Sequence, residues 1–136
     1  MESLTDKNKI WQLDEVLLIL FASGRFHNLH DFILLTKIFE RVFSNSYLIG
    51  FNGNKTFISR QIESSKKKNL LITTGPNFSI SGTGRKYAVG IINEKIITNE
   101  ELALSWKLFR KILGRLPRVR SMWDGYLEDY LRRLNK

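Results

Sequence analysis

A single strand-turn-strand pattern interrupts a chain otherwise patterned for helices. Leu70 to Thr74 and Phe78 to Ser81 flank Gly75-Pro76-Asn77, residues that punctuate a hairpin. A lone two-stranded hairpin is at best marginally stable in water, so this one must lie against helices. The expected fold is mainly α with a small β-hairpin, an α+β class. Its 136 residues suit one compact domain or a small domain plus a helical appendage. At 43% hydrophobic and 12% aromatic content the chain can fill a core.

The helices are read from spacing and caps. Trp11 to Ser23 carries Leu13, Val16, Leu17 and Leu20 on one stripe, broadened by Leu18, Ile19 and Phe21 until most sides look buried. Asp14 and Glu15 sit in its first turn, and Gly24 can stop it. Asn28 can cap a second helix to about Phe43, with Phe32, Leu35, Ile38, Phe39 and Val42 inward. Tyr47 to Phe51 reads as a connector. A third helix from Asn54 turns Ile58, Ile62 and Ser65 inward and leaves Lys55, Ser59, Arg60, Glu63, Lys66 and Lys67 on the other faces. Gly82-Thr83-Gly84 either opens another helix or extends the hairpin; it lacks the rest of a dinucleotide or phosphate-loop motif. Thr98 and Glu101 have capping-box spacing before a helix with Leu102, Trp106, Phe109 and Leu113 on one face, ending near Gly114. A last helix from about Arg118 to Leu134 places Val119, Trp123, Tyr126, Tyr130 and Leu134 on one stripe, so the chain is expected to end in a helical hairpin.

Charge narrows the partner. Residues 51 to 92 hold seven Lys or Arg and one acid, whereas residues 1 to 50 are net −1 and residues 93 to 136 net +4. A basic excess concentrated on one helix and hairpin suits a polyanion, because neutralising phosphates supplies most sequence-independent nucleic-acid affinity. Lys66-Lys67-Lys68 alone would also suit a solvated helix C-terminus.

The order helix, helix, turn, helix, hairpin resembles a winged helix-turn-helix domain. Lys55 to Ile72, Lys-Thr-Phe-Ile-Ser-Arg-Gln-Ile-Glu-Ser-Ser-Lys-Lys-Lys-Asn-Leu-Leu-Ile, is similar to the recognition helix and first wing strand of small MarR-like and PadR-like prokaryotic transcription regulators. Ser79 to Ala88 resembles the end of the wing and the helix after it, and the resemblance covers roughly residues 12 to 90. Asn69 stands where those proteins usually have glycine, and Ser65 where they have a core leucine. The resemblance implies residues 1–92 as the winged domain, followed by residues 93–136 as a helical hairpin that dimerises or completes the core. It also implies double-stranded DNA as partner. Lys55, Thr56, Ser59, Arg60 and Glu63 become groove-reading candidates, Arg60 first because guanidinium pairs bidentately with guanine. Lys66, Lys67 and Lys68 would hold phosphates with Arg85 and Lys86 in support, and Thr73, Thr74, Asn77 and Ser79 form an uncharged wing tip able to hydrogen-bond phosphate.

Trp106, Phe109, Trp123, Tyr126 and Tyr130 either complete the core or form a homodimer seam, as regulators pairing on two half-sites do. Arg115 to Arg120 is a second basic patch or a solvated turn. The expected function is a homodimeric, sequence-specific regulator of transcription. The alternatives are a winged-helix interaction subunit of a nucleic-acid machine, and a replication or partition protein.

No enzyme, cofactor or metal is expected. His27, His30 and Asp31 are spaced poorly for a metal, and Asp124, Glu128 and Asp129 have arginines at 120, 132 and 133 to pair with. The absence of cysteine excludes disulfides and thiolate zinc sites. The run Val16 to Ala22 is too short for a bilayer, and the polar N-terminus lacks a signal-peptide pattern, so a soluble cytoplasmic protein is expected.

Overall fold

The computed structural model describes residues 9–43, 45–117 and 122–134; the side chains of Asn45, Asp124, Leu127, Leu131 and Leu134 lie outside that description. The described elements are helices α1 (Gln12–Ser23), α2 (Leu29–Val42) and α3 (Lys55–Lys67), strands β1 (Leu71–Thr74) and β2 (Asn77–Ile80), then helices α4 (Gly82–Ile91), α5 (Glu100–Gly114) and α6 (Trp123–Leu134). A 3-10 turn covers Asn45–Tyr47, and a π-helical turn, Ile92–Ile96, continues α4. The fold is mainly helical with one small antiparallel sheet, as expected.

Helix α1 is the axis of the packing. Val16 through Leu20 are all fully buried, because α1 touches α2, α3, α4, α5 and β2. A helix apolar on every side is stable only when surrounded in this way. Gly24 ends it at φ 65°. Asn28 caps α2 by accepting the Asp31 amide at 2.9 Å, and Asn54 caps α3 by accepting that of Phe57 at 3.1 Å. One capping reading is corrected. Asn99, not Thr98, caps α5, accepting the Leu102 amide at 3.1 Å, while the Thr98 hydroxyl donates to the Glu94 carbonyl at 2.9 Å. The π turn carries the chain one residue further than a simple cap at Thr98 would allow.

The hairpin pairs Leu71 with Ile80 and Thr74 with Asn77. Its loop is therefore Gly75-Pro76, one residue shorter than the sequence suggested, with Gly75 at φ 60° as two-residue loops favour. His27 and Phe78 exchange both backbone hydrogen bonds at 2.9 Å. That bridge ties the hairpin to the α1–α2 connection and supplies the support that two strands alone lack. The connector residue Leu48 likewise forms a parallel bridge with Ile10.

Of the two readings of Gly82-Thr83-Gly84, the helical one holds. Ser81 caps α4, its hydroxyl accepting the Gly84 amide at 3.0 Å. Gly84 is buried against the start of β1, and a Cβ there would come within 2.2 Å of the Leu70 carbonyl oxygen.

The C-terminal aromatics resolve differently from a seam. Phe109 packs edge-on to Phe39 at 5.0 Å, and Trp106 lies beside Phe109 at 6.2 Å. Trp106, Phe109 and Trp123 are 7%, 0% and 9% exposed within the single chain, so they complete its own core and are unavailable to a partner. Tyr126 and Tyr130 are half-buried against the same core. One continuous core spans residue 92, so the division into residues 1–92 and 93–136 does not separate two cores. Lys95 reinforces this by bonding Asp14 at 2.9 Å, and Arg41 joins α2 to α6 through Glu128 at 2.7 Å. The expected helical start at Arg118, with Val119 and the basic residues 118 and 120, lies outside the described residues.

Candidate nucleic-acid interface

Helix α3 presents one face to the core and the rest to solvent. Ile58, Ile62 and Ser65 are buried, as the spacing required. Ser65 is compatible with that interior because its hydroxyl donates to the Gln61 carbonyl at 2.8 Å. Asn69 takes φ 61°, the left-handed position normally given to glycine. It turns the chain into β1.

Lys55, Thr56, Arg60, Glu63, Lys67 and Lys68 are exposed, and Ser59 is half-buried. Among the described residues, Lys55, Arg60, Lys67 and Lys68 make no side-chain hydrogen bond or ion pair. Glu63 and Lys66 are paired with each other at 3.0 Å, and the Lys66 ammonium also lies 5.8 Å from the centre of the Phe78 ring. An exposed pair of this kind contributes little and can exchange for a phosphate. The ring contact places the Lys66 ammonium beside β2.

The second basic group adjoins the first. The Ser81 hydroxyl donates to the Asn69 carbonyl at 2.7 Å, fixing the start of α4 to the end of α3. Arg85 and Lys86 stand exposed in the first turn of α4, and Lys67 and Lys68 stand exposed at the C-terminal end of α3. The wing contributes less. Thr73 and Thr74 are exposed and Asn77 half-buried, but Ser79 is only 5% exposed, which removes it from the expected tip. Ser79 is buried although its cross-strand partner Ile72 is exposed.

Ahead of α3 the backbone is held by a carboxyl clamp. Glu40 on α2 accepts the Phe51 amide at 3.0 Å and the Asn52 amide at 3.2 Å. Those bonds stabilise the turn in which Asn52 and Gly53 take φ of 52° and 76° before the Asn54 cap. Gly50 lies so close that a Cβ on it would meet a Glu40 carboxyl oxygen at 2.6 Å. Beside the clamp sits Glu15, fully buried. Burial first, then a hydrogen bond that protonated Glu15 can give to the Glu40 carboxyl and the charge of that carboxyl, push its pKa up to about 11. Glu15 is therefore neutral at physiological pH, contrary to its reading as a charged first-turn residue. The sequence signal was available, since Glu15 directly precedes the five fully buried residues of α1.

Phe57 was also missed. It is 46% exposed on the first turn of α3, and its place just before inward-facing Ile58 already excluded it from the core line.

The His27 ring hydrogen-bonds the Ser23 hydroxyl, and no group of three or more His, Cys, Asp or Glu that could hold a metal occurs among the described residues. Glu128 pairs with Arg41 rather than with the arginines of its own helix, while Asp129 lies 3.9 Å from Arg132. No helix among the described residues is long and apolar enough to cross a membrane. No protein-family model matches the chain, and no curated protein or solved structure does either.

Proposed function

We propose that the chain is a sequence-specific double-stranded DNA-binding regulator of the winged-helix kind, with α3 entering the major groove. The observation that carries this reading is a concentration of exposed, unpartnered cations on two elements joined end to end by the Ser81–Asn69 hydrogen bond. These are Lys55, Arg60, Lys67 and Lys68 on α3 and Arg85 and Lys86 on α4, against a single acid on those elements, Glu63. Such a concentration costs self-repulsion in the free protein and is stabilised by a polyanion. The exposed first turns of a helix capped by Asn54 offer the geometry in which a recognition helix meets base edges.

Binding to random-sequence duplex at several salt concentrations is expected to weaken steeply, with a slope of log K against log salt of about −5 if some five or six phosphates are neutralised. No binding at low salt would remove the reading. Lys67→Ala with Lys68→Ala is expected to weaken binding uniformly across sequences and reduce the slope by about 2. Arg60→Ala is expected to cost about 1 to 3 kcal/mol on a preferred site and much less on random duplex, as loss of a bidentate guanine contact would. An equal loss on both would demote Arg60 to a phosphate contact.

A homodimer on two half-sites is part of the proposal. With Trp106, Trp123 and Phe109 committed to the monomer core, Tyr126 and Tyr130 are the members of the expected aromatic seam that remain half-exposed. A monomeric mass in solution, together with a preferred sequence lacking twofold symmetry, would remove that part.

A further inference from the structure

We propose that Phe57 contacts the C5-methyl group of a thymine in the major groove, beside the base that Arg60 addresses. The inference rests on the DNA reading above and names a second specificity-determining residue within it. The buried line of α3 is Ile58, Ile62 and Ser65, and Phe57 is the only large apolar side chain of that helix outside it. Its backbone amide is held by the Asn54 cap, which fixes the first turn from which the ring projects.

At about 100° per residue, Phe57 lies roughly 60° around the helix from Arg60, one turn nearer the N-terminus. The two side chains are thus i,i+3 neighbours on the exposed surface. Arg60 is unpaired among the described residues, and Lys55 lies on the same first turn. An apolar ring beside the Arg60 position, on a helix rich in cations, has its charge complement in a duplex, whose phosphates meet the lysines while the groove floor meets the ring. Thymine alone among the four bases presents a methyl group there, and Phe is one of the side chains that contacts it. A protein partner would find the ring equally accessible, but the surrounding cations would then need an acidic counterpart on it.

The test removes only the methyl group. A preferred duplex is selected with the full chain from a random pool, and each thymine is replaced singly by deoxyuridine, which keeps every Watson–Crick and groove hydrogen-bonding group. One position is expected to bind about fourfold more weakly, the worth of one buried methyl-sized group. With Phe57→Ala the same replacement is expected to have no effect, and with Phe57→Leu a reduced one. Because Phe57 is exposed, both variants should keep the wild-type circular dichroism. If duplex binding is sequence-dependent yet every thymine tolerates deoxyuridine, or if Phe57→Ala keeps the wild-type response, the Phe57 assignment is overturned while the DNA reading stands. Absence of any duplex binding would overturn both.

Discussion

Glu15→Gln is expected to stabilise the protein by about 2 kcal/mol at pH 7 and to flatten its stability across the pH 5–9 range. In the unfolded chain Glu15 titrates at its ordinary value of 4.5, whereas in the folded protein burial raises it to about 11. Between those values the folded state binds a proton that the unfolded state has lost. The stability linked to this group is therefore complete below about pH 4.5 and declines as pH rises toward 11, by up to about 1.4 kcal/mol per pH unit. Glutamine is close in shape to the protonated acid and needs no proton, so the variant escapes the decline. Its amide can also donate to Glu40, whose carboxyl holds the Phe51 and Asn52 amides. Urea denaturation at half-unit pH intervals decides the matter. Parallel curves for the two proteins would show that Glu15 keeps an ordinary pKa. Glu40→Ala should behave oppositely, because it leaves the part-buried Phe51 amide without its acceptor, at about 1 to 3 kcal/mol, while the exposed Asn52 amide can turn to water.

Gly84→Ala is expected to destabilise by about 3 kcal/mol, lowering the melting temperature by roughly 10 °C. The added methyl would lie 2.2 Å from the Leu70 carbonyl oxygen and 2.8 Å from the Ile80 side chain. Neither neighbour can yield cheaply. The Leu70 carbonyl also accepts the Ser81 amide at 3.0 Å, and both belong to the root of the hairpin. Relief would require α4 to move away from the hairpin, carrying Arg85 and Lys86 with it, so under the proposed function duplex affinity should fall at temperatures where the variant is still folded. Gly90→Ala in the same helix is the control. No atom lies within 4 Å of a Cβ there, and the usual helical advantage of alanine should raise stability by up to about 1 kcal/mol. Equal melting temperatures for the two variants would show that the close approach at Gly84 is absent in solution.

Much of the local architecture could be read without the fold. Asn28 and Asn54 as caps, Gly24 as a stop, and Ile58, Ile62 and Ser65 as an inward line all express preferences within a few residues of chain. The same is true of the hairpin and of the exposure of Arg60, Lys67 and Lys68, since naming the inner face of a helix names the outer one. The misreadings arose where a second element intervened. Thr98 has ideal capping spacing, but a π turn delivers Asn99 to that place instead. Ser79 is polar and near a turn, yet it is buried in the fold although its cross-strand partner Ile72 is exposed.

The amino-acid sequence by itself determined where the helices and hairpin form and that their basic residues would gather on α3 and the start of α4, because cap geometry, periodicity and charge order are local. Tertiary structure alone decided three further matters. It set Glu15 beside Glu40 in a dry interior, where a carboxyl is more stable protonated than charged. It drew Trp106, Phe109 and Trp123 into the chain's own core, because Phe39 and its neighbours on α2 offered apolar surface that would otherwise face water. And it left Phe57, outside the inward line of α3, about half exposed.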